Sequence, residues 1–461
     1  MKNLAAALFI IVNTFFFQPS RAQVYVSTDS LASAIDRYLN VANKEDKFNG
    51  SALVAQNGQI ILQKGYGWKN YAARTLNDSS SIFPIGSLTK PFTAMVILKL
   101  QEEGKISVND KLNKYFPEQL DADKITIQNL LNHTSGIYDF SRDIPEDDSV
   151  LLSNPVPRQT VLNAFINKPL EFKPGSKYKY CSSGYFILGL IIEKLTGMPY
   201  EQVVRQLIFN PLGMQHSGFD FINLKNPSKV TGYKFLREDR KELAVKWDSS
   251  FTFSTGGIYS TTGDLYKWAK AIGKRQILSE ASWNEAFTPY LENYGYGWWI
   301  DSLYNKKYIY HPGGMIGFAS SFKYYPDDDL AIILQNNFGY YGQTLLPVND
   351  ALSAIVFNKP NSLLSVRTPI SVEDAILRKY TGTYTPNGKD NIYITLKEHQ
   401  LYAESSSKKG IPKLPIFAQT EVRFFLKDFD AVFNFIKNGD GDIIKFVSQE
   451  NGKEIEYRKI K

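Results

Sequence analysis

The chain has 461 residues, 43% hydrophobic and 21% charged, and carries a net charge of +7. This composition excludes a disordered chain, and the length predicts two domains, because single cores seldom exceed about 250–300 residues. Lysines and arginines are scattered among acids, so we expect no nucleic acid partner. The only cysteine, Cys181, excludes an internal disulfide and a multi-cysteine metal site.

The first 22 residues have the pattern of a signal peptide. Lys2 precedes a short apolar stretch over residues 4–17, and small residues flank Arg21 at a cleavage position before Gln23. The apolar stretch is shorter than the ~20 residues that span a membrane. We therefore expect an exported protein, periplasmic or secreted, without a transmembrane segment after cleavage.

The next elements predict an α+β fold, an α/β sandwich. A hairpin over residues 50–67 turns at Asn57-Gly58, and a helix runs from Ser87 to about Glu103. A mostly helical insert follows. The hairpin and the later strands should share one antiparallel sheet flanked by helices. These later elements are strands at 306–311, 317–325 and 329–337 and a helix near 345–357.

The C-terminal region predicts a small all-β, barrel-like domain. Residues 358–371 are rich in proline and polar residues, as is typical of a linker. Alternating apolar residues and Asn-Gly turns follow. The predicted strands are 391–396, 400–404, 422–426, 431–437, 442–448 and 454–459. The expected organisation is a signal peptide (1–22), a main domain (23–357), a linker (358–371) and the β domain (372–461).

The first chemical motif is Ser87-Leu88-Thr89-Lys90. On a helix, residues i and i+3 share a face, so the lysine amine can reach the serine hydroxyl and activate it. The pattern alone is weak, because it recurs at Ser176, Ser405 and Ser406, and a helix-capping serine with a solvated lysine is the alternative.

Two further motifs follow along the chain. Tyr180-Cys181-Ser182 precedes an apolar helix, where a tyrosine near a lysine can transfer protons. His311-Pro312-Gly313-Gly314 lies between two predicted strands, where glycines let a backbone N–H approach an oxyanion. Alone, each is equally compatible with a packed aromatic residue or a plain turn.

In this order the three motifs resemble those of the serine β-lactamase and penicillin-binding protein family, of the class C β-lactamase and D-alanyl-D-alanine carboxypeptidase type. The resemblance covers about residues 30–355 and extends to residues 130–136, 256–260 and 313–318. The C-terminal unit is similar to the lipocalin-like domain often appended to such enzymes.

The resemblance implies a role for each motif residue. Ser87 is the expected nucleophile, Lys90 its base and Tyr180 the group that passes the proton to the leaving group. The N–H groups of Ser87 and Gly314 would form the oxyanion hole. Substrate would be held by Ser182, His311 and Gly313, while His133 would brace a loop.

Two positions depart from the family pattern. Ser182 stands where asparagine is usual, and His311 stands where β-lactamases have lysine. Histidine is mostly neutral at pH 7, whereas lysine is a fixed cation for a substrate carboxylate. Both departures favour a peptidase or esterase over an efficient β-lactamase.

The sequence therefore predicts a serine hydrolase that acts through an acyl-enzyme on Ser87. The expected activity is that of a D-amino-acid peptidase, carboxypeptidase or carboxylesterase on a small molecule or peptide, including cell-wall peptide. The alternatives are a β-lactamase, a non-catalytic penicillin-recognising sensor, and a glycan binder that uses the β domain. The four histidines are too dispersed to suggest a metal site, and we expect no cofactor.

Overall fold

The computed structural model describes residues 28–144, 148–238, 240–339, 344–360, 367–407, 413–427, 431–450 and 453–460. The expected signal peptide, residues 1–22, lies outside the described residues. In the described part of the chain, no helix combines the length and the hydropathy that crossing a bilayer requires.

Thirteen α-helices are assigned in these ranges, together with short 3-10 turns. They are α1 (Thr28–Lys44), α2 (Thr89–Glu102), α3 (Ile127–Leu131), α4 (Ser149–Ser153), α5 (Arg158–Asn163), α6 (Ser182–Thr196), α7 (Tyr200–Val204), α8 (Asn210–Leu212), α9 (Ser249–Gly256), α10 (Thr262–Gly273), α11 (Glu280–Ala286), α12 (Leu346–Val356) and α13 (Asp374–Tyr380).

The first twelve strands belong to the main unit. They are β1 (Gly50–Gln56), β2 (Gln59–Tyr66), β3 (Trp68–Asn70), β4 (Thr75–Leu76), β5 (Phe83–Pro84), β6 (Tyr233–Leu236), β7 (Lys241–Leu243), β8 (Tyr259–Ser260), β9 (Trp299–Leu303), β10 (Lys306–Met315), β11 (Phe318–Tyr325) and β12 (Leu330–Asn336). The central sheet is antiparallel in the order β2-β1-β12-β11-β10-β9, which confirms that the hairpin and the late strands share one sheet.

Side chains alternate across this sheet and divide the core into two layers. On β1, Leu53 packs with the cluster that holds Phe92 of α2 and Trp268 of α10. Its neighbour Val54 packs on the opposite face, in the cluster with Leu39 of α1. The period of two residues sends alternate side chains to opposite faces, so helices cover both faces and the α+β fold class is confirmed.

The sequence interpretation was wrong about the end of β10. The motif His311-Pro312-Gly313-Gly314 was expected to connect two strands, but all four residues lie within β10, in register with β11 from His311↔Phe322 to Gly314↔Ala319. The chain reverses three residues after Gly314, near Gly317, whose φ of +89° suits a turn. Strand β9 pairs with β10 only as far as Tyr310, so the edge beyond it is not paired with β9.

The C-terminal unit is a closed eight-stranded barrel. Six of its strands were predicted, whereas the first and fourth were missed, because one is short and begins with glycine and the other contains Pro415. The strands are β13 (Gly382–Thr385), β14 (Ile392–Lys397), β15 (Gln400–Ser405), β16 (Leu414–Ala418), β17 (Arg423–Leu426), β18 (Ala431–Lys437), β19 (Ile443–Glu450) and β20 (Lys453–Lys459).

The hairpin formed by β6 and β7 belongs to the chain of the main unit and also packs against the barrel. Phe235 on β6 is 2% exposed and belongs to the apolar cluster of the barrel, with Tyr380, Phe424 and Phe446. At the base of the same hairpin, the Ala244 N–H donates to the Gly232 carbonyl at 3.0 Å. Tyr233 and Leu236 of β6 pack with Trp68 and Phe338 of the main unit, so this strand contributes side chains to both units.

Candidate active site

Ser87 and Lys90 lie at the junction of a 3-10 turn (Gly86–Leu88) and helix α2. One helical turn separates them, and Lys90 Nζ lies 3.0 Å from Ser87 Oγ. The same ammonium donates to the Thr255 carbonyl at 3.0 Å. The structure thus brings the first motif together in the geometry that a serine and its base require.

Burial changes the acid–base behaviour of Lys90. Its side chain has no exposed surface, and desolvation lowers the pKa of Lys90 from 10.5 to about 7, although Asp139 opposes the shift. A general base is most effective when its pKa is near the working pH. A large fraction of Lys90 is therefore neutral at pH 7 and able to accept a proton.

A strained residue in α9 positions the carbonyl that Lys90 contacts. Phe253 has φ 39° and ψ −129°, which is unusual for a residue with a side chain. The carbonyls that follow point into the core, where Ser254 O accepts from Thr93 and Thr255 O accepts from Lys90. The kink thereby supplies a polar partner to an otherwise desolvated amine.

Tyr180 lies on the loop before α6, on the other side of Lys90. Its ring centroid is 4.9 Å from Lys90 Nζ and its hydroxyl is within hydrogen-bond reach of Ser87. The ring stacks on Trp299 with centroids 5.7 Å apart. Desolvation raises the pKa of Tyr180 well above its usual value of 10, so the phenol stays protonated and can donate a proton.

Backbone packing brings the edge of β10 against the nucleophile turn. Gly86 has φ +52°, and a Cβ there would lie 2.8 Å from Gly314 N. A Cβ on Gly313 would lie 1.7 Å from the Ile85 carbonyl, so only glycine fits. Gly314 itself is exposed and lines the cleft beside Ser87. Its position fits the expected oxyanion-hole role, whereas Gly313 is buried and packs inward.

His311 lies close to Tyr180, with ring centroids 6.4 Å apart, and its expected role in substrate binding stays a prediction. It is fully buried and does not line the cleft; Nε2 bonds the Tyr294 hydroxyl at 3.1 Å and Nδ1 lies 2.6 Å from the Pro312 carbonyl oxygen. Burial, with Lys90 nearby, lowers the pKa of His311 to about 3. The side chain cannot offer a cation to a substrate, because Tyr294 and Trp299 enclose it.

The cleft in front of Ser87 has a volume of about 520 Å³ and includes Ser182 in its wall. Sequence reasoning missed several side chains there, among them Asp139, Arg142 and Trp247. Asp139 Oδ1 accepts from the N–H groups of Ser141 and Ser182, while the carboxylate is 6% exposed. The only sequence signal was an Asp-x-Ser pattern typical of a helix cap.

His133 supports the tyrosine loop from behind. It is buried, its Nδ1 accepts the Cys181 N–H at 3.2 Å, and its ring lies 4.2 Å from that of Tyr180. Burial lowers the pKa of His133 well below 6.5, which keeps the ring neutral among aromatic side chains. Within the described ranges, no group of three histidine, cysteine or acidic residues is arranged to hold a metal.

Comparison with known proteins agrees with this geometry. The Beta-lactamase family profile matches residues 35–351. Penicillin-binding protein 4* of Bacillus subtilis (strain 168) is 26% identical over 444 residues, covering 91% of this chain and 96% of that protein. The teichoic acid D-alanine hydrolase of Staphylococcus aureus (strain MRSA252) is 28% identical over 328 residues, covering 69% and 77% of the two chains.

A solved structure shows the same fold over nearly the whole chain. The octameric penicillin-binding protein homologue from Pyrococcus abyssi superposes with a TM-score of 0.64 at 24% identity, covering 94% of this chain and all of that one. The family match spans the sheet, the helical insert and every residue of the cleft. With a serine and a desolvated lysine 3.0 Å apart at its centre, the chain is a serine hydrolase that belongs to the β-lactamase and penicillin-binding protein family.

Proposed function

We propose that this protein hydrolyses esters and amides of D-amino acids through an acyl-enzyme on Ser87. The observation that carries the proposal is the contact between Ser87 Oγ and Lys90 Nζ, 3.0 Å long, with the pKa of Lys90 lowered to about 7. Among the expected activities, this favours D-aminoacyl peptidase and esterase chemistry over β-lactam hydrolysis, because neutral His311 supplies no cation for a substrate carboxylate.

Acylation uses the neutral form of Lys90. The amine takes the hydroxyl proton as Ser87 Oγ attacks the substrate carbonyl, and the N–H groups of Ser87 and Gly314 stabilise the oxyanion. The intermediate collapses when the bond to the leaving group breaks and Tyr180 donates a proton to the departing atom. Tyr180 is then reprotonated from Lys90, which lies against its ring.

Deacylation repeats these steps with water. Lys90 accepts a proton from the attacking water and passes it to Ser87 Oγ as the tetrahedral intermediate expels the serine. The products are the free acid and the amine or alcohol released earlier. The enzyme returns to its starting state, with Ser87 protonated and Lys90 neutral.

The charges along the cleft support a substrate with a free α-ammonium group. Asp139 is a carboxylate in the cleft wall, next to Ser182, and the cations that share the wall, Arg142 and Lys179, both pair with Glu171. The relative named teichoic acid D-alanine hydrolase acts, by its name, on D-alanine. An aminoacyl ester of that kind carries an ammonium beside the reacting carbonyl, whereas penicillins and carboxypeptidase substrates carry a carboxylate.

The test is a labelling and turnover experiment with a matched control. Fluorophosphonate treatment followed by mass spectrometry should place the adduct on Ser87. D-alanine p-nitroanilide should be cleaved faster than its L isomer and faster than nitrocefin. Ser87→Ala should abolish both results, and Ser176→Ala, which removes another Ser-x-x-Lys serine, should change neither. An adduct elsewhere, or nitrocefin as the best substrate, would contradict the proposal.

A further inference from the structure

A second cavity adjoins the cleft and is not used by the chemistry described above. Its volume is about 280 Å³, which is enough for a small organic group. Its wall is mostly apolar and includes Phe221, Val245 and Phe318. We call it the side chamber.

The side chamber joins the cleft at residues that do not include Tyr180. It shares Trp247, Thr252, Gly256 and Met315 with the cleft wall, so the two cavities adjoin there. Tyr180, which would protonate the leaving group, lines the cleft but not the chamber. A group that enters the chamber therefore belongs to the acyl part of the substrate and not to the leaving group.

The chamber has a net positive charge. Lys229 and Lys246 both line it, and none of its described lining residues is acidic. Lys229 Nζ donates to the Ile222 carbonyl at 2.6 Å and lies 5.0 Å from the Phe221 ring centroid. An ammonium has three donors, and one of those of Lys229 is used in this hydrogen bond, which holds the side chain beside the chamber.

The two lysines act on each other. Burial and then the charge of Lys246 lower the pKa of Lys229, although Asp220 opposes the shift. Two cations near one apolar cavity repel each other until an anion lies between them, and a charge-assisted hydrogen bond to a carboxylate is stronger than a neutral one.

We infer that the side chamber binds an acyl substituent with an apolar body and a terminal anionic group, held by Lys229 and Lys246. This inference rests on the proposed acyl-enzyme at Ser87 and adds the chemical character of the side chain that the D-aminoacyl group carries. The apolar wall takes the body of the substituent, while the lysines select its end by charge.

The experiment compares esters that differ only in the end of the acyl chain. The p-nitrophenyl monoesters of adipic, suberic and sebacic acid carry a terminal carboxylate, and their methyl esters are neutral. For the chain length that fits best, kcat/KM should favour the carboxylate by about tenfold, as one charge-assisted contact gives. The ratio of the two values is the readout, so that a general loss of activity cancels.

Substitutions of the two lysines test whether they cause the preference for the carboxylate. Lys229→Met and Lys246→Met each remove a charge at similar volume and should reduce the ratio several-fold, and the double variant should bring it near one. Lys225→Met, an exposed neighbour that does not line the chamber, should leave the ratio unchanged. A ratio near one in the unmodified enzyme, or a preference that survives in the double variant, would overturn the inference.

A binding measurement tests the side-chamber inference independently of the proposed hydrolase function. Ser87→Ala can be titrated calorimetrically with suberic acid monoanilide and with its methyl ester. Tighter binding of the acid, lost in the double lysine variant, supports the chamber even if no ester is turned over and the proposed function fails. Equal binding of the two compounds overturns the chamber even if Ser87 is acylated.

Discussion

Replacing Lys90 by methionine should abolish activity and at the same time stabilise the fold. The side chain is fully buried, and methionine fills a similar volume without a charge. A lysine kept at the cost of stability is typical of a residue retained for catalysis. The pH dependence of this stabilisation tests whether Lys90 can act as the base.

The size of the expected stabilisation follows from the lowered pKa of Lys90. Burial moves the pKa of Lys90 from 10.5 to about 7, and each tenfold change in the proton equilibrium is worth about 1.4 kcal/mol. Below pH 7 the amine is protonated in both the folded and the unfolded state, so the folded state bears the full cost of about 5 kcal/mol.

The number of protons bound by the folded and the unfolded state determines whether the free energy of unfolding rises or falls with pH. Between pH 7 and 10.5 the unfolded state binds the proton and the folded state does not, so the free energy of unfolding of the unmodified protein rises with pH. From about pH 7 to about pH 9 it should gain about 2.4 kcal/mol relative to Lys90→Met. The variant loses the hydrogen bond to the Thr255 carbonyl, worth about 1–3 kcal/mol at any pH, so its net advantage near pH 7 is about 2–4 kcal/mol.

Urea unfolding followed by tryptophan fluorescence measures the difference in free energy of unfolding between the unmodified protein and Lys90→Met, and it reports on the main unit, which contains Lys90. All six tryptophans lie between residues 68 and 299, outside the barrel. Lys99→Met, on the same helix but at the surface near Glu102, is the control and should show no such slope. If the difference between the unmodified protein and Lys90→Met is the same at about pH 7 and about pH 9, Lys90 keeps its proton and is not the base.

Three further results are expected. The value of kcat/KM for a neutral ester should rise with pH through about 7 and then level off, because only neutral Lys90 accepts the proton; a flat profile between about pH 5 and pH 9 would contradict this. Tyr180→Phe should slow cleavage of an alkyl amide by about 100-fold or more but slow a p-nitrophenyl ester far less, since that leaving group needs no proton; equal losses would argue for a structural role. Asp139→Asn should reduce the preference for D-alanine p-nitroanilide over its N-acetyl form by about tenfold in kcat/KM, and an unchanged preference would show that Asp139 does not bind the ammonium.

Local patterns were sufficient for the sheet and for the centre of the site. The hairpin of β1 and β2 followed from an Asn-Gly turn between apolar strands, and the i, i+3 spacing of Ser87 and Lys90 is realised at a helix start. Both depend on residues close in the chain, where periodicity and turn chemistry decide the structure.

The features that the sequence patterns failed to predict depend on contacts between residues far apart in the chain. Pro312, Gly313 and Gly314 have the composition of a turn, yet pairing with β11 extends the strand through them. His311 is enclosed by Tyr294 and Trp299, and its neutrality is a property of that packing. Asp139 comes from a loop with no motif of its own. The burial of His311 and Asp139 depends on contacts between distant parts of the chain, and the spacing of residues along the sequence does not reveal such contacts.

The position of Phe235 limits how this architecture can be recombined. Its ring is part of the barrel core, although the residue belongs to the chain of the main unit. A barrel transplanted from a relative would need an interior that accepts this hairpin, and a main unit without the barrel would expose the Phe235 ring to solvent. The two units can therefore be exchanged between proteins only together with a matching hairpin, and sequence changes on either side of this contact should be inherited as a pair.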